Sequence, residues 1–414
     1  MSNRGRRTRR VIGSVAAAAL LGAGCGASPP GVPESTPVTA GTSVSADVPA
    51  FAAALQPLLE AKMTELRVPG AIVLVDVPGQ GTWLQAMGIG DLATNSPMAV
   101  ENHMRIGSVT KTMTATVILQ LVDEGVLALD DTVSKYEPLV PNGANITVRQ
   151  LLNMTSGLFN DTEDDAFNGA LDAQPERIWT DHEMWAIAFA HPPYFAPGQG
   201  WHYSNTNYSL LGDIAEKAGG APLAQLMQQR IFGPLGMTDT LLPQRDSTAI
   251  PEPHQRGYMY GTNVINNDIY NAALAGNTAA AQLDAGPDVT PPDVTDTSPS
   301  SSYADGAAIS TAHDLQTYAK ALGSGELLSP ATQQQRTQFV PAGSYGLGLE
   351  RAAGGLLGHN GAIPGYQSFM GYQPDKGVTV VVLANLILAP NTYLGDALPA
   401  DELAKVIQQQ LLPS

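Results

Sequence analysis

A chain of 414 residues, 43% hydrophobic and only 14% charged, with 42 Gly and 31 Pro at its turns, can bury a large core and is too apolar to stay disordered. Thirty-eight Asp and Glu against 21 Lys and Arg leave a formal charge of −17. That charge repels phosphate backbones and offers no counterion-release term, which excludes a general DNA or RNA binder.

The first segment reads as an export signal. Arg4, Arg6, Arg7, Arg9 and Arg10 precede a 14-residue run of apolar and small residues from Val11 to Gly24, the pattern of a signal peptide over residues 1–24. The run is too short for a permanent span. Its removal takes away five arginines and no acid, leaving 16 basic against 38 acidic residues and a formal charge of −22. The only cysteine, Cys25, follows in Leu21-Gly22-Ala23-Gly24-Cys25, so no internal disulfide forms. This segment resembles the bacterial lipobox, which implies a lipid on Cys25 that anchors the chain to the outer face of the cell membrane. The paired arginines leave twin-arginine export open beside the general route. Gly26 to Pro49, with Pro29, Pro30, Pro33 and Pro37, is an extended tether, so residues 25–50 carry no core.

Periodic sequence begins near Phe51. Leu55, Leu58, Leu59, Met63 and Leu66 recur at helical spacing before Pro69-Gly70, and Ala71–Val77 is a buried strand with Thr82–Ile89 returning beside it. At the far end Gly377–Ala384 is a β-branched strand and Asp401–Leu412 a closing helix. Residues 51–107 and 346–414 therefore read as one sheet-and-helix unit built from both ends of a 51–414 domain. Between them, residues 108–345 read as mainly helical: Thr112–Glu124, Val148–Met154 capped by Thr147, Thr206–Ala218 and Thr311–Leu322. Residues 262–302, rich in Asn, Ala, Thr, Asp, Pro and Ser, read as a flexible excursion or lid with little to offer the core.

Three short groups carry chemistry. In Arg105-Ile106-Gly107-Ser108-Val109-Thr110-Lys111, one helical turn separates Ser108 from Lys111, which places an amine within reach of a hydroxyl. A desolvated lysine loses its proton near neutral pH and can activate a serine, which alone is a weak nucleophile. In Tyr203-Ser204-Asn205, a phenol beside a lysine can ionise and move a proton, and the Asn205 amide can orient a carbonyl and hold Lys111. Taken singly, this group is equally a capping Asn with a core Tyr. In Gly358-His359-Asn360-Gly361-Ala362, His359 can donate to Tyr203 or to substrate, and the Ala362 and Ser108 amides can form a two-donor oxyanion hole. A lone His in a glycine-rich strand is also commonly structural. Lys217-Ala218-Gly219 competes for the third group but reads as a helix end.

Together, in this order, Ser108-x-x-Lys111, Tyr203-x-Asn205 and His359-x-Gly361 resemble the serine β-lactamase and D-alanyl-D-alanine carboxypeptidase superfamily, in its class C-like branch. Leu151–Leu158 and Phe195-Ala196-Pro197-Gly198 look like the same family, and the resemblance covers residues 51–412. It implies an α/β (α+β) fold: an antiparallel sheet flanked by helices, plus a mainly helical domain, with the site in the cleft between them. It implies Ser108 as nucleophile, Lys111 as its activator and Tyr203 as general acid/base. Asn205, His359, Asn360 and Ala362 would bind substrate. Asn360 stands where peptide-processing members usually carry a hydroxyl, and the E-x-x-L-N signature of class A is absent. G-x-S-x-G and H-E-x-x-H are absent too, and His103, His182, His191, His202, His254, His313 and His359 show no ligand spacing. The sequence thus implies no metal and no cofactor. The expected activity is hydrolysis of an ester or amide through an acyl-enzyme, on a small molecule or a D-alanyl peptide. The rival expectation is a non-catalytic envelope module that binds penicillin-like or peptidoglycan-like ligands.

Overall fold

A computed structural model describes residues 48–274, 283, 285–391 and 397–413. Cys25, the segment before it and nearly all of the tether lie outside the described residues. The helix Ala50–Glu65 buries Phe51, Ala52, Leu55, Leu59 and Met63, while Leu58 falls off that stripe and is exposed. Period 3.6 explains both, since positions 51, 55, 59 and 63 stack on one face and 58 points away from it.

Strand β1 (Gly70–Val77) pairs antiparallel with β2 (Gly81–Asp91), which carries the short β3 (Ser96–Pro97). A two-stranded ribbon joins β4 (Met104–Arg105) to β5 (Ile309–Ser310). The remaining strands are β6 (Glu350–Arg351), β7 (Leu357–Ile363), β8 (Tyr366–Gln373) and β9 (Val378–Ala384). The seven-stranded sheet runs β3-β2-β1-β9-β8-β7-β6, so β9 from the far end of the chain lies directly beside β1. The antiparallel sheet built from both ends is therefore present, with Val73 opposite Val382 at its centre.

Strand alternation assigns each residue to one of two layers. Val73, Val75, Val380 and Val382 pack with Leu55 and Leu59 of the first helix and with Leu403 and Ile407 of the closing helix Pro399–Leu411. Ile72, Leu74, Val381 and Leu383 face the other way, onto Met113 and Val117 of the helix Val109–Asp123. That helix is buried almost all round, and the helix Asn205–Gly219 packs against it through Tyr208, Leu211 and Ile214. Thr147 closes a capping box with Gln150 at the start of Val148–Leu152, and Thr311 caps Ala312–Ser324.

Residues 262–302 depart from the reading as core-poor. Asn263–Leu274 is a helix, Ile269 and Leu283 pack into the layer under the first helix, and Ser298 and Ser300 are buried. Arg67 donates to the carbonyls of Ala285, Gly286, Pro287 and Val289, which satisfies main-chain groups that composition alone marks as solvent-exposed.

Candidate active site

Three separate segments meet where the helix Val109–Asp123 begins. The chain reaches it through Ile106, whose N–H donates to Ala308 and whose carbonyl accepts from Ser368 Oγ at 2.7 Å. Gly107 then turns with φ +50°, and a Cβ there would lie 2.6 Å from the Ala362 nitrogen. A Cβ on Gly361 would overlap the Ile106 carbonyl oxygen and lie 2.9 Å from the Ser108 nitrogen. Both glycines are required because two main chains touch here. The result is Ser108, partly exposed, at the N-terminus of a helix, with the edge of β7 against it.

Lys111 is fully buried one turn further on, its Nζ 3.0 Å from Ser108 Oγ. The same nitrogen donates to the Asp305 carbonyl at 2.7 Å and stands 3.6 Å from the Asp305 carboxylate. Burial brings the amine down to about 8, against the opposing pull of Asp305 and Asp161. The Tyr203 hydroxyl is within hydrogen-bonding reach of Ser108, and Lys111 Nζ sits 5.1 Å from the centre of its ring. Burial, with Glu350 and Asp305 nearby, pushes the Tyr203 phenol well above its ordinary range. That environment opposes the ionisation expected of Tyr203.

The other sequence candidates divide. Asn205 lines the cleft beside Ser108, but its amide does not hold Lys111. Its Nδ2 donates to Thr162 Oγ1 and its main-chain N–H to Asn160 Oδ1, leaving its own Oδ1 without a partner among the described residues. Asp305 takes the position against the lysine instead. The Asn360 main-chain N–H faces the Glu350 carboxylate on the open edge of β7. Two residues on, the Ala362 N–H shares that edge, towards Ser108.

His359 and Asn360 are not at the cleft surface. His359 is 2% exposed; its Nδ1 donates to the Asn360 carbonyl at 2.5 Å, so Nε2 is the acceptor and receives the Tyr345 hydroxyl at 2.9 Å. Burial, then Lys111, lowers its pKa to about 3, and it stays neutral. It neither donates to Tyr203 nor reaches a substrate. Asn360 points to the opposite face, where Nδ2 donates to Asp401 of the closing helix at 2.9 Å. Adjacent strand residues cannot share a face, which is why both could not line the cleft. Lys217 pairs with Glu137 and Asp213 at the end of its helix.

The cleft is walled by Phe167, Leu171, Ile363 and Ile387 and edged by Ser301 and Ser302. Among its described lining residues only Asp305 is charged, and none is a cation. Asp305 and the buried Asp161 were not legible as site residues: one lies in Tyr303-Ala304-Asp305-Gly306, the other in Asn160-Asp161-Thr162, and neither belongs to a recognised spacing. An acid between Ala304 and Gly306 is the only signal that Asp305 offered, and Asp161, between two polar residues, offered none. No group of three or more His, Cys, Asp or Glu among the described residues is arranged to hold a metal ion.

The family model described as Beta-lactamase matches residues 55–396. Esterase EstB of Burkholderia gladioli is 32% identical over 228 residues, a match that takes in 52% of this chain and 58% of the esterase, less than two thirds of its length. A D-stereospecific amidohydrolase from a Streptomyces species superposes with a TM-score of 0.71 at 32% identity, covering 87% of this chain and 99% of the other. The D-amino acid amidase of Ochrobactrum anthropi SV3, solved with L-phenylalanine amide, gives 0.70 at 27%, covering 87% and 97%.

Proposed function

Because the chain belongs to the Beta-lactamase family, we propose that it is a serine hydrolase which acylates Ser108 with an ester or amide and releases the acyl group to water. The observation that carries this reading is the fully buried Lys111 Nζ at 3.0 Å from Ser108 Oγ. A neutral lysine takes the Ser108 proton as Oγ attacks the substrate carbonyl carbon. The oxyanion that forms faces the Ser108 and Ala362 N–H groups, aided by the helix N-terminus. Tyr203, as a neutral phenol, gives its proton to the departing alcohol or amine, and the lysine ammonium replaces that proton. Water then attacks the acyl-enzyme by the reverse path.

The cleft favours substrates without a free carboxylate. A D-alanyl-D-alanine peptide ends in one, and the described lining offers it no cation to pair with, Asp305 being itself held against Lys111. Esters and amino-acid amides need no such partner, and the Asn205 Oδ1 can accept an N–H from an amide or amine. The names of the esterase, the amidohydrolase and the amidase support this choice. We read Cys25 as the lipid-bearing residue of an exported protein on the outer face of the membrane; five arginines, an apolar run and a sole cysteine support this.

The test is a substrate panel with the purified protein: p-nitrophenyl acetate, D- and L-phenylalanine amide, and a D-alanyl-D-alanine peptide. Turnover of the ester or an amide, lost in Ser108→Ala, is expected, with the peptide at least about tenfold poorer in kcat/KM. Equal or better turnover of the peptide would remove the carboxylate argument, and binding without turnover would favour a receptor module. Intact mass of the native N-terminus tests the lipid on Cys25.

A further inference from the structure

Lys111 is ringed by ionisable groups from every element packed on it. Ser108 lies on its own helix, Asp305 on the short helix Tyr303–Gly306, and Asp161 on the loop after Phe159. Tyr203 and Tyr208 lie at and within the helix Asn205–Gly219, Glu350 on β6 and His359 on β7. Only two of these, Asp305 and Asp161, are carboxylates that are almost wholly buried, at 3% and 1% exposed. Asp305 reaches Lys111 with two atoms, the carbonyl at 2.7 Å and the carboxylate at 3.6 Å. Any residue at 305 could supply the carbonyl. The carboxylate is specific to aspartate, and a buried anion persists only beside a cation or strong donors.

We propose that Asp305 is a positioning residue for Lys111, placing the amine through its main-chain carbonyl and setting the amine's affinity for its proton through its side-chain charge. This rests on the reading of Lys111 as the base that activates Ser108. Asp161 completes the balance. Its carboxyl oxygens have only the Thr162 N–H and the Thr206 hydroxyl near them, neither in good hydrogen-bonding geometry, whereas Asp305 has the lysine beside it. Burial raises both carboxyls, Asp161 well above the ordinary carboxylate range and Asp305 to about 6, and both pull on the amine, but only Asp305 lies within 4 Å of it. Among the described residues Asp305 is the carboxylate nearest to Lys111, with Asp161 and Glu350 further off. Without it, burial alone would drive the amine to release its proton at lower pH.

The sign is therefore fixed. Activity requires the free amine, so kcat/KM climbs with pH through the Lys111 pKa, near 8 in the native protein. Removing the anion lowers that pKa and moves the acid limb to lower pH. The experiment titrates protein labelled with ε-¹³C lysine by NMR. Seven lysines are present, and Lys111 is assigned by the signal lost in Lys111→Arg. Asp305→Asn is expected to lower the Lys111 midpoint by at least about one pH unit, a tenfold larger amine fraction on the acid side, with the acid limb of kcat/KM shifting alike. Asp161→Asn, which removes a carboxyl more than 4 Å from the amine, is expected to move it by less than half of that. A midpoint unmoved in Asp305→Asn, or moved equally by Asp161→Asn, overturns the proposal. Asp305→Ser, which keeps the carbonyl and removes the charge with a smaller side chain, answers the same question if the asparagine variant does not fold. Should Ser108→Ala retain activity while the Lys111 midpoint still shifts, the serine hydrolase reading fails and the proton coupling stands.

Discussion

Gly361→Ala is the most informative single change to the architecture around Ser108. An added Cβ would overlap the Ile106 carbonyl oxygen and lie 2.6 Å from Ser368 Oγ and 2.9 Å from the Ser108 nitrogen. All three belong to backbone or to a buried hydroxyl bonded to backbone, so nothing flexible can yield, and β7 must move away from the nucleophile turn. Overpacking of this kind costs about 1–3 kcal/mol of stability. Its catalytic effect is separate: displacing the Ala362 N–H from the oxyanion costs about 10²–10³ in kcat, the effect of losing one such donor. Gly358→Ala is the matched control. Its Cβ would overlap Met370 O on the β8 side of the same strand, away from Ser108, so it destabilises without touching the donors. The assay is ester hydrolysis, kcat and KM per folded molecule, with the thermal midpoint of each variant. A folded Gly361→Ala protein with native kcat, or equal kcat losses in both variants, would refute the two-donor geometry.

Other outcomes follow from the same site. His359 stays neutral down to about pH 3, whereas an unfolded histidine takes its proton near 6.5. Stability should therefore fall as pH drops through that window, by at most about 1.4 kcal/mol per unit from this residue. Thermal unfolding from pH 7 to 4 should show a shallower slope in His359→Gln; an identical slope would contradict it. Asn360→Thr should lose about 1 kcal/mol of stability with the hydrogen bond to Asp401. Because the side chain faces the closing helix, kcat/KM for esters should change less than about threefold, and a large gain for carboxylate-bearing peptides would place it in the cleft after all. Asn205→Ala removes an acceptor on the cleft wall, so KM for amides should rise more than KM for esters of equal size; equal rises would remove that role.

The sheet was readable because β1 and β9 are nearly unbroken apolar runs that need cover on both faces, and the two terminal helices carry apolar stripes that cover one of them. Ser108 and Lys111 were readable because one helical turn fixes their separation whatever the rest of the chain does. Asp305 and Asp161 were not, since Asp305 comes to Lys111 from 194 residues away, beside the β4–β5 ribbon, and Asp161 comes from the turn after Phe159. The assignment of His359 and Asn360 to one surface overlooked the two-residue period of a strand, which the sequence did contain. Burial also reversed the expectation for Tyr203, since a phenol out of water resists charge more than a neighbouring ammonium relieves it.

The direct measurement of the central claim is the intact mass of the protein, quenched during turnover of a slow ester, followed by peptide mapping. One acyl group per chain on the peptide that contains Ser108, absent in Ser108→Ala and much slower to form in Lys111→Ala, is the result predicted. Turnover with no covalent species, or an adduct on another residue, would contradict it.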